Sequence, residues 1–153
     1  MSPSEGPLAV RVLRTEANPD LPLPERASRQ AAGYDVRSAD ADFHLAPGEI
    51  RAVGTGLVLE LPPGVECQVR PRSGLAARYG ITVPNAPGTI DPDYRGELRV
   101  LLQNTGADPV LLRRGDRVAQ LVFARFETPL LTEATTLSTS ARGEGGFGST
   151  GTG

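Results

Sequence analysis

Lysine is absent from this chain of 153 residues, so all 16 of its basic residues are arginine. The absence excludes a Walker-A phosphate loop and Schiff-base chemistry, because both need a lysine amine. Arginine presents a planar fork of donors that matches phosphate oxygens, so phosphate chemistry stays open. The formal net charge is −2, and the chain therefore carries no electrostatic footprint for binding a nucleic-acid backbone.

Cysteine and histidine each occur once, as Cys67 and His44. Two such residues cannot build the usual four-ligand zinc site, and a lone cysteine cannot form an internal disulfide. Cys67 lies in the alternating segment 65–69, so we expect a buried structural thiol. No nucleophile elbow surrounds His44, and we expect it on the surface or in a loop.

Long apolar runs are also missing, and residues 1–6 are polar, without the apolar core of a signal peptide. We therefore expect a cytoplasmic protein that binds neither membranes nor nucleic acid. The length suits one domain with a single core.

Glycine and proline are abundant instead, with 18 and 14 residues, and they interrupt the chain too often for long helices. Alternating apolar and polar residues between these breaks predict short strands at 8–13, 49–53, 57–61, 65–70, 97–104, 110–113 and 117–126. Only Ser73–Tyr79 is predicted to be helical. Many short strands with one brief helix are typical of an all-β sandwich or jelly roll.

The densest chemistry lies in residues 85–96, Asn-Ala-Pro-Gly-Thr-Ile-Asp-Pro-Asp-Tyr-Arg-Gly. Its turn residues predict a hairpin. Asp91 and Asp93 flank Pro92, whose fixed φ would hold both carboxylates in a defined geometry. The alternative is that both aspartates are ordinary turn formers.

Arg72 and Ser73 stand at the start of the predicted helix. The free N–H groups of a helix amino terminus favour anions, so this position suits phosphate. The alternative is that Ser73 is simply the N-cap and Arg72 a solvated neighbour.

Gln120 is predicted to share one strand face with three apolar residues, Val118, Val122 and Ala124. A glutamine buried in such a row needs polar partners. It would either bond to a neighbouring backbone or reach a ligand.

The composition changes after Phe126, and residues 138–153 are small, polar or glycine apart from Arg142, Glu144 and Phe147. Such a segment cannot bury enough apolar surface to order itself, so by default it is a disordered tail. Residues 143–148 match the GxGxxG pattern, but the dinucleotide interpretation needs a following helix, for which the five remaining residues are too few.

Together and in this order, five segments resemble the signature motifs of the trimeric dUTP diphosphatases. They are residues 32–36, 71–76, 85–96, 114–120 and 142–151. The resemblance runs from about Leu21 to the carboxyl terminus. It departs from the family at Ser28-Arg29-Gln30, which are bulkier than usual, at Arg78, where lysine is common, and at Val36, where leucine is usual.

The resemblance implies a jelly-roll homotrimer that hydrolyses dUTP to dUMP and pyrophosphate by attack of water on the α-phosphorus. This reaction would limit uracil incorporation into DNA and supply dUMP for thymidylate synthesis. Residues 1–137 would form the catalytic domain, including an inter-subunit arm at 127–137. Residues 138–153 would form a mobile tail that closes an active site, and each site would combine motifs of all three subunits.

By the same resemblance, Asp91 is the catalytic base that orients water, and Tyr94 lies under the deoxyribose. Mg²⁺ is the implied cofactor, held mainly by the substrate phosphates, with Asp35 contributing through water. The implied substrate-binding residues are Arg72, Ser73, Gly74, Asn85, Gly88, Thr89, Ile90, Tyr94, Gln120, Arg142, Phe147 and Gly148.

Two alternatives stay open. A dCTP deaminase shares the fold and resembles this chain in Ile90-Asp91-Pro92 and in Arg114-Gly115. The position of its catalytic glutamate is Leu101 here, which cannot shuttle protons, and deaminases lack the Gly-Phe-Gly tail. The other alternative is a non-catalytic nucleotide-binding or regulatory trimer, against which the nearly complete motifs favour turnover.

Overall fold

A computed structural model describes residues 6–153 of the chain. Residues 1–5 lie outside it, and with them most of the polar segment on which the expectation of no signal peptide rests. The described part contains ten strands and one helix. They are β1 (Arg11–Arg14), β2 (Tyr34–Arg37), β3 (Phe43–Leu45), β4 (Ile50–Glu60), β5 (Val65–Arg70), α1 (Ser73–Tyr79), β6 (Ile81–Thr82), β7 (Gly88–Ile90), β8 (Glu97–Asn104), β9 (Val110–Leu112) and β10 (Arg117–Arg125). Within residues 6–153, no helix has the length and apolar character needed to span a membrane.

The strands form two four-stranded sheets, in the orders β1-β4-β8-β6 and β2-β10-β5-β7, and a two-stranded sheet, β3-β9. The paired strands are antiparallel. From β4 to β8, each successive strand lies in the other large sheet. This arrangement confirms the predicted all-β jelly roll with one short helix.

The core lies between the two large sheets, because alternate residues of the facing strands point inward. On β8, Leu98, Val100 and Leu102 are buried, and on β5 the buried residues include Cys67 and Val69. Burying one such aliphatic side chain stabilises the fold by about 1.5–3 kcal/mol. Burial also raises the pKa of the Cys67 thiol to about 12, so the expected buried structural thiol is confirmed.

Predicted and observed elements agree best where the alternation is long. The helix and the strands at 65–70 and 97–104 have the predicted bounds. The two strands predicted at 49–53 and 57–61 are one strand, β4, with a register irregularity between Gly54 and Val58. Gly56 adopts a φ of +65° there, so the glycines that suggested a break form a bulge inside a continuous strand.

One prediction about strand partners is wrong. Residues 85–96 do not form a hairpin, because β7 pairs with β5, whereas β8 pairs with β4 and β6. Turn residues indicate where a chain bends but not which strand it joins next, and here the chain crosses between sheets.

The face assigned to Gln120 is also wrong in part. The register of β10 shifts between Arg117 and Ala119, and Val118, Ala119 and Leu121 all belong to the core. Gln120 is half-buried on the opposite face, so it does not share a face with Val118. His44 is exposed as expected, in strand β3 rather than in a loop.

Candidate active site

A polar cluster forms around Asp35, which is 6% exposed on strand β2. Its Oδ1 atom lies 3.4 Å from Nε of Arg72 and accepts a hydrogen bond of 3.3 Å from Nε2 of Gln120. Its Oδ2 atom accepts from Nη1 of Arg117 at 3.4 Å. We refer to Asp35, Arg72, Arg117 and Gln120 as the Asp35 cluster.

Local pairing explains how these residues meet. Gln120 on β10 lies directly opposite both Asp35 on β2 and Arg70 on β5. Strand β5 ends at Arg70, and Arg72 follows two residues later, so its side chain reaches Asp35. Nη1 of Arg72 also donates to the carbonyl of Arg117, at 3.2 Å. Two guanidinium groups share one carboxylate, so the cluster keeps a net positive charge that suits an anion.

Arg117 is a member of this cluster that the sequence did not single out. It belongs to the segment 114–120, which also contains Arg114, and no sequence pattern separates the two arginines. Arg114 instead forms an ion pair of 2.7 Å with Asp20, and this hydrogen bond lowers the pKa of Asp20. Arg117 is the first residue of β10 and pairs with Arg37 of β2, whereas Arg114 lies in the turn that precedes the strand.

Ser73 and Gly74 lie in the first turn of α1, next to Arg72. The N-cap of the helix is Arg72, with extended backbone and no side-chain capping bond. The alternative interpretation of Ser73 as the N-cap is therefore wrong. Ser73 and Gly74 are both exposed, so a ligand held by Arg72 would find their hydroxyl and amide groups accessible.

A second group of predicted residues lies in the segment 85–96, which we call the Asp91 loop. Asp91 lines a cavity of about 200 Å³. The other residues around this cavity are Thr89, Ile90, Tyr94, Glu97, Leu98 and Arg99. The carbonyl of Asp91 accepts a hydrogen bond of 3.1 Å from the amide of Tyr94, which closes a tight turn.

Tyr94 and Asn85 are both positioned against glycines of this loop. The Tyr94 hydroxyl donates to the carbonyl of Glu97 at 2.9 Å, and its ring covers Gly96 so closely that any side chain at Gly96 would collide with it. The Asn85 amide lies beside Gly88, where an added Cβ would come within 3.1 Å of Nδ2. Both glycines therefore make room for a neighbouring side chain.

One chain does not bring the Asp91 loop and the Asp35 cluster together. Ile90, next to Asp91, pairs with Cys67, whereas Arg72 follows the other end of β5. Arg72 lies five positions after Cys67, and five steps of extended chain span roughly 17 Å. The two groups lie at opposite ends of the same strand.

The carboxyl-terminal residues meet neither group. Phe147 is fully exposed, with a φ of +50°, and Nε of Arg142 donates to the carbonyl of Gly145 at 2.6 Å. The hydrogen bonds of residues 138–153 all lie within that segment. Arg142, Phe147 and Gly148 therefore stay apart from the rest of the predicted site in this chain.

The donor set limits what kind of metal site is possible. Within residues 6–153, no group of three or more histidine, cysteine, aspartate or glutamate side chains could hold a metal ion. The two oxygens of Asp35 offer about four acceptor sites, and its three protein donors leave room for a water. One such carboxylate fits an ion that is bound mainly by its ligand's phosphates and keeps several waters.

Comparison with known proteins identifies the family. Residues 20–151 match the dUTPase family model. A deoxyuridine 5'-triphosphate nucleotidohydrolase of Methylocella silvestris is 53% identical over 95% of this chain and 92% of its own. A protein of that name from Anaeromyxobacter sp. is 55% identical over 95% of this chain and 99% of its own. The Staphylococcus bacteriophage 80alpha dUTPase, solved with dUPNHPP, has a TM-score of 0.83 at 27% identity, covering 94% of this chain and 99% of that one. This chain belongs to the dUTPase family.

Proposed function

We propose that this chain hydrolyses dUTP to dUMP and pyrophosphate. The observation that carries the proposal is the pair of half-sites: a carboxylate, Asp91, beside a small cavity, and a buried carboxylate, Asp35, that holds two guanidinium groups. The first suits a nucleoside with a water to be activated, and the second suits a polyphosphate. Membership of the dUTPase family supports the same reaction.

Asp91 serves as the base in this proposal. Its carboxylate would accept a proton from water as the water oxygen bonds to the α-phosphorus. The bond from the α-phosphorus to the bridging oxygen then breaks, and pyrophosphate leaves. A positioned base of this kind contributes about 10²–10⁴ to the rate.

The nucleoside would be recognised by the Asp91 loop. Strand β7 lies at the edge of its sheet, so the backbone groups of Gly88–Ile90 that face away from β5 have no strand partner. With the Asn85 amide, these groups would bond to the uracil edge, which differs in polarity from that of cytosine. The Tyr94 ring, fixed against Gly96, would lie under the deoxyribose and exclude a 2′-hydroxyl.

The phosphates would be bound by the Asp35 cluster and the adjacent Ser73 and Gly74. Arg72, Arg117 and Gln120 supply donors that already converge on one carboxylate. The structural neighbour solved with dUPNHPP supports a triphosphate-like ligand for the fold.

We further propose that the active protein is a homotrimer whose sites are shared between subunits. The α- and γ-phosphorus atoms of one triphosphate are only two P–O–P links apart, so a substrate whose α-phosphorus lies beside Asp91 would not bring its γ-phosphate to Arg72 of the same chain. A second copy would bring its Asp35 cluster to the Asp91 loop of the first. The segment 127–137 carries Leu130, Leu131 and Leu137 at 87–89% exposure, which suits an arm that packs on a neighbour, and residues 138–153 would close a neighbouring site.

Mg²⁺ is the proposed cofactor, with Asp35 holding one of its waters. When bound, the ion would neutralise part of the triphosphate charge and so assist the departure of pyrophosphate. Arg72 and Arg117 would neutralise the remainder.

The proposal is tested by supplying dUTP and dCTP separately and measuring pyrophosphate and ammonia. We expect pyrophosphate from dUTP and at least about 10⁴-fold lower kcat/KM with dCTP, because buried polar groups that match one base are left unpaired by the other. Ammonia from dCTP would establish the deaminase alternative, although the half-buried Leu101 offers no proton carrier. Binding of dUTP without turnover would establish the non-catalytic alternative.

A further inference from the structure

Arg95 lies in the Asp91 loop but has no part in the reaction proposed above. Its Nη1 atom donates to the carbonyl of Pro92 at 2.7 Å and to the carbonyl of Tyr94 at 3.1 Å. Its Nη2 atom lies 3.5 Å from Oε1 of Glu60. One guanidinium group therefore joins two carbonyls of the loop to the last residue of β4.

Glu60 is itself held from the other side. Its Oε2 atom accepts a hydrogen bond of 3.1 Å from Nη1 of Arg11, and Arg11 lies directly opposite Glu60 in the pairing of β1 with β4. Each carboxylate oxygen thus contacts one arginine, and the loop is tied to two strands of the neighbouring sheet.

The part of the loop that carries Asp91, residues 91–96, needs such a connection because strand pairing does not restrain it. Residues 91–96 lie between the end of β7 and the start of β8, and Pro92 has no amide hydrogen to donate. The turn bond from Tyr94 to Asp91 and the Tyr94 hydroxyl bond act within the loop and its junction with β8. Among the described residues, only Arg95 connects the backbone of the loop to β4.

We propose that Arg95 is a positioning residue: held by Glu60, it fixes the Asp91 loop so that the Asp91 carboxylate meets the attacking water. This inference rests on the proposed role of Asp91 and extends it to Arg95 and Glu60, which line a second cavity beside Asp91, of about 770 Å³. Glu60 acts indirectly, because it holds the Arg95 side chain in place.

The expected effects on stability and on rate distinguish a positioning role of Arg95 from simple stabilisation of the fold. The side chains of Arg11, Arg95 and Glu60 are 84%, 52% and 42% exposed, and exposed ion pairs contribute little to folding stability because water screens them. A displacement of about 1 Å at a reacting group, by contrast, can lower the rate about 10²-fold. Removing Arg95 or Glu60 should therefore lower kcat and leave the unfolding temperature nearly unchanged.

The test compares Arg95→Ala and Glu60→Ala with the control Arg113→Ala. Arg113 is likewise an exposed, ion-paired arginine, 3.8 Å from Asp42, and it does not contact the loop. For the full-length protein with Mg²⁺ and dUTP, we expect Arg95→Ala to lower kcat by about 10–100-fold. Glu60→Ala should lower it in the same direction, the KM should change less, and the control should match the parent.

The kcat of a double variant distinguishes positioning of Asp91 from a purely structural role of Arg95. If Arg95 acts through Asp91, then Asp91→Asn combined with Arg95→Ala should be no slower than Asp91→Asn alone. Multiplied losses, or a loss of kcat that follows a fall in unfolding temperature, would overturn the positioning role. A parent-like Arg95→Ala beside an impaired Asp91→Asn would overturn this inference alone. A parent-like Asp91→Asn would overturn it together with the proposed base.

Discussion

The separation of the two half-sites makes a strong prediction about mixed assemblies. Asp91→Asn disables the half-site near one end of β5, the Asp91 loop. Arg72→Ala disables the half-site at the other end, the Asp35 cluster. If one site takes its Asp91 loop and its Asp35 cluster from different copies, then each variant retains the half that the other lacks. Unfolding the two variants together and refolding them should therefore restore activity.

The size of the recovery follows from the geometry. Asp91→Asn should lower kcat by roughly 10²–10⁴. Arg72→Ala removes a charge-assisted donor worth about 1.5–3 kcal/mol, or at least about tenfold in kcat/KM. In an equimolar mixture, random assortment around a cyclic trimer gives about one site in four that is intact in both halves. The mixture should reach about a quarter of the parent activity, several times the mean of the separate variants.

The assay is pyrophosphate release from dUTP by the co-refolded mixture. Each variant refolded alone and then mixed without denaturant serves as the control. Native mass spectrometry of distinguishable chains would verify that mixed trimers have formed. Mixed trimers that show only the mean of the two variants would refute a shared site, and both half-sites would then have to act within one chain.

Three further predictions concern single features. Tyr94→Ala should raise the ratio of UTP to dUTP turnover, because it removes the ring that we propose excludes a 2′-hydroxyl, and an unchanged ratio would restrict Tyr94 to supporting the loop. Deleting residues 138–153 should leave the unfolding temperature nearly unchanged and activity low, since these residues bond only among themselves; full activity of the truncated protein would contradict a lid. Burial raises the pKa of Cys67 from 9.0 to about 12, so between these pH values the unfolded thiol loses its proton while the folded one keeps it, and stability falls by up to about 1.4 kcal/mol per pH unit. Chemical denaturation of Cys67→Ala at pH 8 to 11 should show a smaller fall, and an equal fall in both proteins would contradict the buried neutral thiol.

The sequence predicted the fold class because β5 and β8 largely alternate apolar and polar residues over six and eight positions. Alternation of that length shows which side chains point into the core. Strands β2, β3, β6 and β7, which the sequence did not predict, have two to four residues, and so few positions rarely establish a period of two. Strands β1 and β9 are as short but lie within longer alternating segments, 8–13 and 110–113. The existence of the four unpredicted strands depends on neighbouring strands that are distant in sequence. The same limit explains the wrong hairpin, since β7 finds its partner β5 rather than the next strand along the chain.

For the site, motif resemblance supplied the residues and the structure supplied their grouping. Asp35, Arg72 and Gln120 meet as a shared phosphate site would require. Arg117 could not be told from Arg114, because their different partners depend on where β10 begins and on its pairing with β2. The distance from Asp91 to Arg72 also depends on strand register, which local sequence does not encode.

The Asp35 cluster has a consequence for how the substrate would be captured. A free arginine side chain carries about 2 kcal/mol of rotamer entropy, which it loses when it is held in one geometry. Arg72 and Arg117 are already drawn together by the Asp35 carboxylate, so part of that loss occurs during folding. In the proposed phosphate site, the Asp35 carboxylate thus orders the two arginines before the substrate binds, as a bound anion would. An arriving triphosphate would meet donors that are already ordered, and more of its interaction energy would remain for binding.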